Sequence, residues 1–330
     1  MISARSIPNR WRKAIRNRII YEIQSLNKKQ VETLVSWAGR EGWNPGLGDA
    51  DLVWQADPQG FLGMCIAENG ISENRNSENG VADKCIAGGA IVRHNPMFGF
   101  MGLFIVEPEY RGQGLGRKLW FARRDRLLDR LAPGASIGLD AVDAMVGFYA
   151  AGGFKPFTRH RRFQFAPDPS KWNDSKRGSH QSVGYASRPY RVEDFPAIHA
   201  MDLECFPGER ANILEPWITQ KNGLTLVVPN PNSPNEILGF GTIRKCLVGW
   251  KIGPLQAHTP EIAKALIEQL ILDVNAPSVM IDIPDNNPES LRMCQSFGMQ
   301  EVFGCVRMYL GPPPTLKNEH LFAILSLEIG

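Results

Sequence analysis

The chain has 330 residues, 43% apolar and 22% charged, values that suit a globular protein of two ordinary domains with buried cores. A formal charge of +3 is close to neutral and gives no reason to expect a nucleic-acid partner. No apolar run is long enough to span a bilayer, so no membrane partner is expected.

The chain begins with Arg5, Arg10, Arg12, Lys13, Arg16 and Arg18, and no acid precedes Glu22. Such a start fits an organelle-targeting segment or a basic extension, 1–18, ahead of the first strand; it lacks the apolar core of a secretory signal. A cytoplasmic protein is expected. Apolar residues at helical spacing over 31–40, after a start near Asn27, predict a helix, which the Gly- and Pro-rich stretch 41–49 ends. Strands are predicted over 61–67, 85–93 and 98–106, with a long polar hairpin loop over 69–84. After a glycine-rich turn come a helix over 117–131, a strand over 136–141, a helix near 144–151 and a strand near 161–165. The order α-β-β-β-α-β-α-β predicts a mixed α/β fold, a mostly antiparallel central sheet flanked by helices.

Residues 166–189, rich in Pro, Ser, Asp, Lys and Gly, read as a linker between domains 1–165 and 190–330. A similar order then restarts. Helices are predicted over 192–204 and 213–221, and strands over 225–228 and 237–243. A short segment ends at 253–255, ahead of a helix over 259–272. A strand over 278–283, a helix over 288–297 and a strand over 302–310 complete the chain. This is an internal duplication at the level of fold, carried by element order and not by identity.

The six cysteines, Cys65, Cys85, Cys205, Cys246, Cys294 and Cys305, are scattered without a Cys-x-x-Cys pair. They read as small buried residues in a reducing compartment, not a disulfide frame or a metal site. The six histidines are equally dispersed, and no metal is expected.

The most specific signal is the apolar run ending Phe104-Ile105-Val106, followed by Arg111-Gly112-Gln113-Gly114-Leu115-Gly116-Arg117 and a helix. Glycines let the backbone approach a ligand, and the first free helical N–H groups point at it, so the turn is an anion cradle suited to phosphate or pyrophosphate. No Lys-Ser or Lys-Thr follows, so the ATP/GTP loop does not fit, and the dinucleotide spacing Gly-x-Gly-x-x-Gly is absent. The observed Arg-x-x-Gly-x-Gly, after Val-x-Pro, resembles the acyl-CoA loop of the GNAT N-acetyltransferases. That resemblance implies that backbone amides of the loop hold the CoA pyrophosphate, and that acetyl-CoA is the acyl donor.

A second match lies downstream. Tyr149-Ala-Ala-Gly-Gly153-Phe154 resembles the GNAT helix whose tyrosine faces the CoA sulfur, which implies Tyr149 as catalytic acid. A phenol with a pKa near 10 can donate to a thiolate leaving group, and N–H groups at the end of Phe104-Ile105-Val106 would hold the oxyanion. The base is open. Asp140 is the first choice and Asp49 the second, with Glu41, Asp51 and Asp143 also near the expected amine pocket.

The segment Glu41-Gly-Trp43-Asn44-Pro-Gly, with Gly138-Leu-Asp140, resembles tandem GNAT proteins whose C-terminal GNAT domain is of the YitH type. So do 239–244, 251–255, 281–284, 307–309 and 327–330, so the likeness spans nearly the whole chain. It implies Glu41, Trp43 and Asn44 as substrate-side residues. The second domain departs from an active GNAT: Gly253-Pro-Leu-Gln-Ala-His-Thr-Pro260 stands where the pyrophosphate loop should be, and Cys294 where the tyrosine should be. It is therefore expected not to bind acetyl-CoA. Arg244, Lys251, Asp282 and Arg307 either line an acceptor pocket or make interdomain salt bridges.

The resemblance implies an N-acetyltransferase moving acetyl from acetyl-CoA to an amine, by direct attack in a ternary complex. A pocket between two domains favours a small-molecule acceptor. The alternative is an acetyl-CoA sensor without turnover. Oligomeric state is not legible.

Overall fold

Asn27 opens the first helix among the described residues, α1 (Lys28–Arg40). Its side chain accepts from the Gln30 N–H at 3.0 Å, and the Gln30 side chain accepts from the Asn27 N–H at 2.9 Å, a reciprocal cap. Val31, Leu34, Val35 and Ala38 then fall on one buried face. The computed structural model describes residues 20–67, 84–167 and 185–330. The basic extension 1–18, nearly all of the expected 69–84 loop and the middle of the expected linker lie outside them.

The first half runs β1 (Ile20–Ser25), α1, α2 (Asp49–Ala56), β2 (Phe61–Ala67), β3 (Lys84–Asn95), β4 (Phe98–Val106), α3 (Leu115–Leu128), β5 (Ser136–Ala141), α4 (Val146–Ala150) and β6 (Lys155–Phe165). The second runs β7 (Arg188–Pro189), α5 (Phe195–Cys205), α6 (Ala211–Ile218), β8 (Gly223–Asn230), β9 (Ser233–Lys245), β10 (Trp250–Ala257), α7 (Pro260–Val274), β11 (Val279–Pro284), α8 (Pro288–Ser296), β12 (Gln300–Leu310) and β13 (Leu321–Ala323). The predicted elements recur in their predicted order. Four were not anticipated. β1 is held by antiparallel pairing to β2, α2 is a short helix in the Gly- and Asp-rich stretch that read as loop, β7 is a two-residue strand on β8 at the end of the expected linker, and β13 has only three residues.

All the strands join one 13-stranded sheet in the order β1-β2-β3-β4-β5-β12-β6-β11-β10-β9-β8-β7, with β13 on β10. The last strand of each half is exchanged. β12 pairs antiparallel with β5, β6 pairs antiparallel with β11, and the two pair with each other. The sheet is thus mostly antiparallel, and its two parallel contacts mark the places where strands part. β4 and β5 pair only over Phe98–Phe100; β10 and β11 pair only over Trp250–Ile252.

The two gaps have different fates. In the second half β13 fills the gap: it pairs antiparallel with β10, and the Ile324 N–H donates to the Asp282 carbonyl at 3.0 Å. In the first half the gap opens into a cavity. One apolar cluster ties the halves together, joining Leu34 and Trp37 of α1 and Val53 of α2 to Ile198 of α5, Trp217 of α6, and Leu325 and Ile329 of the C-terminal segment.

The cysteine expectation is corrected at one pair. Cys65 and Cys85 stand opposite each other on β2 and β3 and form a disulfide. Antiparallel register brings together residues 20 positions apart, which spacing alone does not reveal. The other four cysteines are free and buried. Among the described residues, no helix is long and apolar enough to cross a membrane.

Candidate active site

The gap between β4 and β5 widens into a cavity of about 530 Å³, bounded on one side by the glycine loop and on the other by residues of the second half. Gly112 and Gly114 hold φ of +73° and +77°, the left-handed region that glycine enters without a Cβ penalty. Gly114 is the N-cap of α3 and makes no side-chain cap, so the first N–H groups of α3 keep their capacity to hold an anion. Among the described residues, no atom lies within 4 Å of the place a side chain would take on either glycine, which leaves room for a ligand. Arg111 fastens the loop: its Nε donates to the Val106 carbonyl at 2.8 Å and its Nη2 to Glu41 at 2.5 Å. Phe104, Ile105, Val106, Arg111, Gly112, Gly114, Gly116 and Arg117 line the cavity; Gln113 and Leu115 do not. The glycine cradle, helix N-terminus and open space fit a pyrophosphate-bearing ligand.

β4 bulges where it leaves β5. Leu103 has φ +48°, and the β3–β4 register passes from Gly88↔Ile105 to Ala90↔Gly102. Arg123 supports the bulge from α3. Its Nη2 donates to the carbonyls of Ala90 and, at 2.7 Å, Gly102, and its guanidinium lies 4.9 Å from the Phe104 ring centroid. Burial pulls its pKa down to about 10, still charged near neutral pH. Its Nε and Nη1 make no hydrogen bond among the described residues. Arg123 was missed in the sequence, although it shares the buried helical face of Leu119, Trp120 and Leu127, where a charge stands out.

Tyr149 sits on α4 in the cavity wall, 9% exposed, with its ring against Trp120 and Phe148. Among the described residues nothing hydrogen-bonds its hydroxyl. Burial raises its pKa to about 12, against the charge of Arg123, so the phenol keeps its proton throughout the neutral range.

Among the described residues, three carboxylates line the cavity: Glu41, Asp140 and Glu328. Glu41 is paired with Arg111. Asp140 accepts from Arg307 at 2.9 and 2.8 Å and lies 3.1 Å from His160 Nδ1. Burial pushes the Asp140 carboxyl up, but Arg307 and then His160 hold it well below the ordinary carboxylate range. A carboxylate held that low is a weak proton acceptor. Asp49 does not line the cavity. It is buried under Arg244, 3.1 and 3.3 Å away, and accepts from the Gly46 N–H at 2.8 Å. Asp143 pairs with Arg159 and Asp51 with Lys28 at the surface.

The second half's four charged residues all reach across to the first half. Arg244 pairs with Asp49, Asp282 accepts from Arg162 at 2.6 and 2.8 Å, Arg307 binds Asp140, and Lys251 donates to the Asn44 carbonyl at 3.1 Å. Each is a contact between halves, and none of the four residues lines the cavity. Asn44 does not line the cavity; it exchanges two hydrogen bonds of 2.8 Å with the Val248 backbone. Trp43 does line the cavity, joined by Arg162, Phe303, Cys305 and Leu327, none of which sequence reasoning had placed there.

The equivalent place in the second half is closed. The segment read as standing in for a pyrophosphate loop is mostly strand: β10 continues to Ala257, and only His258 and Thr259 precede α7. Cys294 is fully buried, and burial pushes its thiol up to about 12. Nearby, Glu204, His258 and His320 come within 4.8 Å of one another, a grouping their scattered positions concealed. Lys317 already pairs with Glu204.

Comparison with known proteins places these features in a group. Two family models, each for an acetyltransferase (GNAT) domain, match residues 67–166 and 198–323, together more than half of the chain. The holothin acyltransferase of Pseudoalteromonas sp. (strain SANK 73390) is 25% identical over 308 residues, covering 93% of this chain and 92% of that protein. The uncharacterized N-acetyltransferase YitH of Bacillus subtilis (strain 168) is 24% identical over 315 residues, covering 94% and 99%. Among solved structures, a candidate acetyltransferase from Pyrococcus horikoshii superposes with a TM-score of 0.72 at 19% identity, covering 94% of this chain and 96% of that one.

Proposed function

The chain belongs to the GNAT acyltransferases, as a tandem of two such domains, and from that premise we propose that it transfers an acetyl group from acetyl-CoA to the amine of a small molecule. The carrying observation is that the glycine loop, the β4 bulge and Tyr149 converge on one cavity. In this reading loop 111–117 and the start of α3 hold the pyrophosphate, and the β4 backbone beyond Phe100, free of β5, receives the thioester. Tyr149 gives its proton to the departing sulfur. Asp140 orients Arg307 and His160 in place of acting as base. The second half, with its gap filled by β13, shapes the acceptor side and binds no acetyl-CoA of its own. A recessed cavity between halves suits a small acceptor, and the name of the holothin acyltransferase relative is in keeping with one.

The test is transfer of labelled acetyl from acetyl-CoA into fractionated cell extract, with Tyr149→Phe as control. Label in one small-molecule peak, lost in the variant, supports the proposal and isolates the acceptor. A second reading, an acetyl-CoA sensor without turnover, draws on the ion pairing of both Asp140 and Asp49. It requires bound acetyl-CoA, no label in any fraction, and no difference between wild type and Tyr149→Phe.

A further inference from the structure

We infer that Glu328, carried into the first half's cavity by the C-terminal segment of the second half, is the carboxylate that receives the acceptor's ammonium group and takes its proton. This rests on the amine-transfer reading above and supplies the base that Asp140 and Asp49 are poorly placed to be.

Elimination comes first. Of the three carboxylates lining the cavity, Glu41 is neutralised by Arg111 and Asp140 by Arg307. Glu328 has no cationic side chain within 4.0 Å among the described residues, and the charges of Arg162, Lys251 and Arg244 reach it only from farther off; its one side-chain partner among them is the Ser326 hydroxyl, which donates at 2.5 Å. A half-buried carboxylate with unused acceptor capacity, facing the cavity, is a site for a cation brought by the ligand.

Position is the second argument. The Glu328 carbonyl abuts Gly102 so closely that a methyl group there would sit 1.9 Å from it. Gly102 precedes Leu103, where β4 bulges away from β5, so Glu328 stands at the point where the thioester is proposed to lie.

Rigidity is the third. The segment is clamped on both sides of Glu328. β13 is seated on β10, Leu325 and Ile329 are buried in the shared core, the His94 Nε2 donates to the Ile329 carbonyl at 2.7 Å, and Arg210 donates to the Gly330 carbonyl at 2.9 Å. A side chain on such a support is preorganised. The same stretch thus fills the gap of its own half and equips the gap of the other.

The proton balance closes. The ammonium gives one proton to Glu328, which returns it to solvent. The neutral amine forms the C–N bond at the thioester carbonyl, and the C–S bond breaks. Tyr149 protonates the sulfur and is restored by the second proton lost from nitrogen. One proton is released per amide formed.

The experiment compares wild type, Glu328→Gln and Glu328→Asp with acetyl-CoA and two probe amines. Benzylamine is protonated near neutral pH; aniline is already neutral there. Glu328→Gln should lower turnover with benzylamine on the order of 100-fold and leave aniline within about threefold. Glu328→Asp should recover part of the loss. Thermal protection by acetyl-CoA, equal in all three proteins, reports folding and donor binding. Equal loss on both amines, or no loss on either, overturns the inference and spares the transferase reading. No transfer by the wild type to either amine, with acetyl-CoA bound, sinks that reading and this inference with it.

Discussion

The carbonyl oxygen of Glu328 packs against the α-carbon of Gly102, joining the C-terminal segment of one half to the splayed strand of the other. A counterpart exists in the second half, where a methyl group on Gly253 of β10 would sit 2.4 Å from the Ile324 carbonyl. Both parting points are therefore touched by backbone from the same short segment. Gly102→Ala must displace that segment, because backbone cannot swing aside as a side-chain tip can. Expected is a loss of about 1–3 kcal/mol in stability and a fall in acetyl transfer larger than any change in acetyl-CoA affinity. Thermal unfolding and steady-state kinetics measure the two. A fully stable, fully active variant would show that the contact is dispensable.

Two substitutions separate donor binding from chemistry. Gly114→Asp places a carboxylate at a left-handed position beside the proposed pyrophosphate, so acetyl-CoA affinity should collapse. Tyr149→Phe should keep that affinity and lose turnover on the order of 100-fold. Calorimetric titration with acetyl-CoA, alongside transfer rates, reads both. Unchanged affinity in Gly114→Asp removes the loop assignment.

The buried pair of Arg307 and Asp140 joins β12 to β5. Arg307→Ala strips a buried carboxylate of its main partner and should cost about 3–5 kcal/mol, whereas Arg307→Met with Asp140→Leu should recover much of it. Denaturant unfolding of the single and double variants tests this. A double variant no better than the single would mean that the pair matters for more than charge compensation.

His94 sets a pH dependence of stability. Burial, and then the charge of Arg210, lower its pKa from 6.5 to about 3. Between those values the unfolded chain binds a proton there that the folded chain refuses, so stability falls as pH drops from 6.5 toward 3, by at most about 1.4 kcal/mol per pH unit. His94→Gln, which still has a donor for the Ile329 carbonyl, should flatten the profile between pH 6.5 and 4. An unchanged slope over that window would assign it to other groups.

Strand exchange makes the halves interdependent. Residues 20–166 alone would leave β6 without either neighbour and β5 without β12. Exposed strand edges of that kind aggregate. Size-exclusion chromatography and circular dichroism of the fragment should show aggregate or unfolded chain; a folded monomer would mean that β6 can return to β5.

Much of this protein was legible in its sequence. The order of elements, the glycine loop after β4, and Tyr149 four residues before Gly153 are local signals. Each depends on a few adjacent residues whose backbone preferences and periodicity act over short range. They sufficed for the fold class and for most residues on the loop side of the cavity.

The opposite wall of the cavity was not legible, and particular residues show why. The ion pairs of Asp140 and Asp49 could not be read from the chain, because their partners, Arg307 and Arg244, lie 167 and 195 residues away. Alternation along β6 and β12 says which face is buried and nothing about the neighbour. Backbone ladder bonds are the same for every residue, so exchange between halves leaves no mark on the sequence. The disulfide of Cys65 with Cys85 and the reach of Glu328 into the first cavity follow from strand register and chain path, which arise once the whole sheet has assembled.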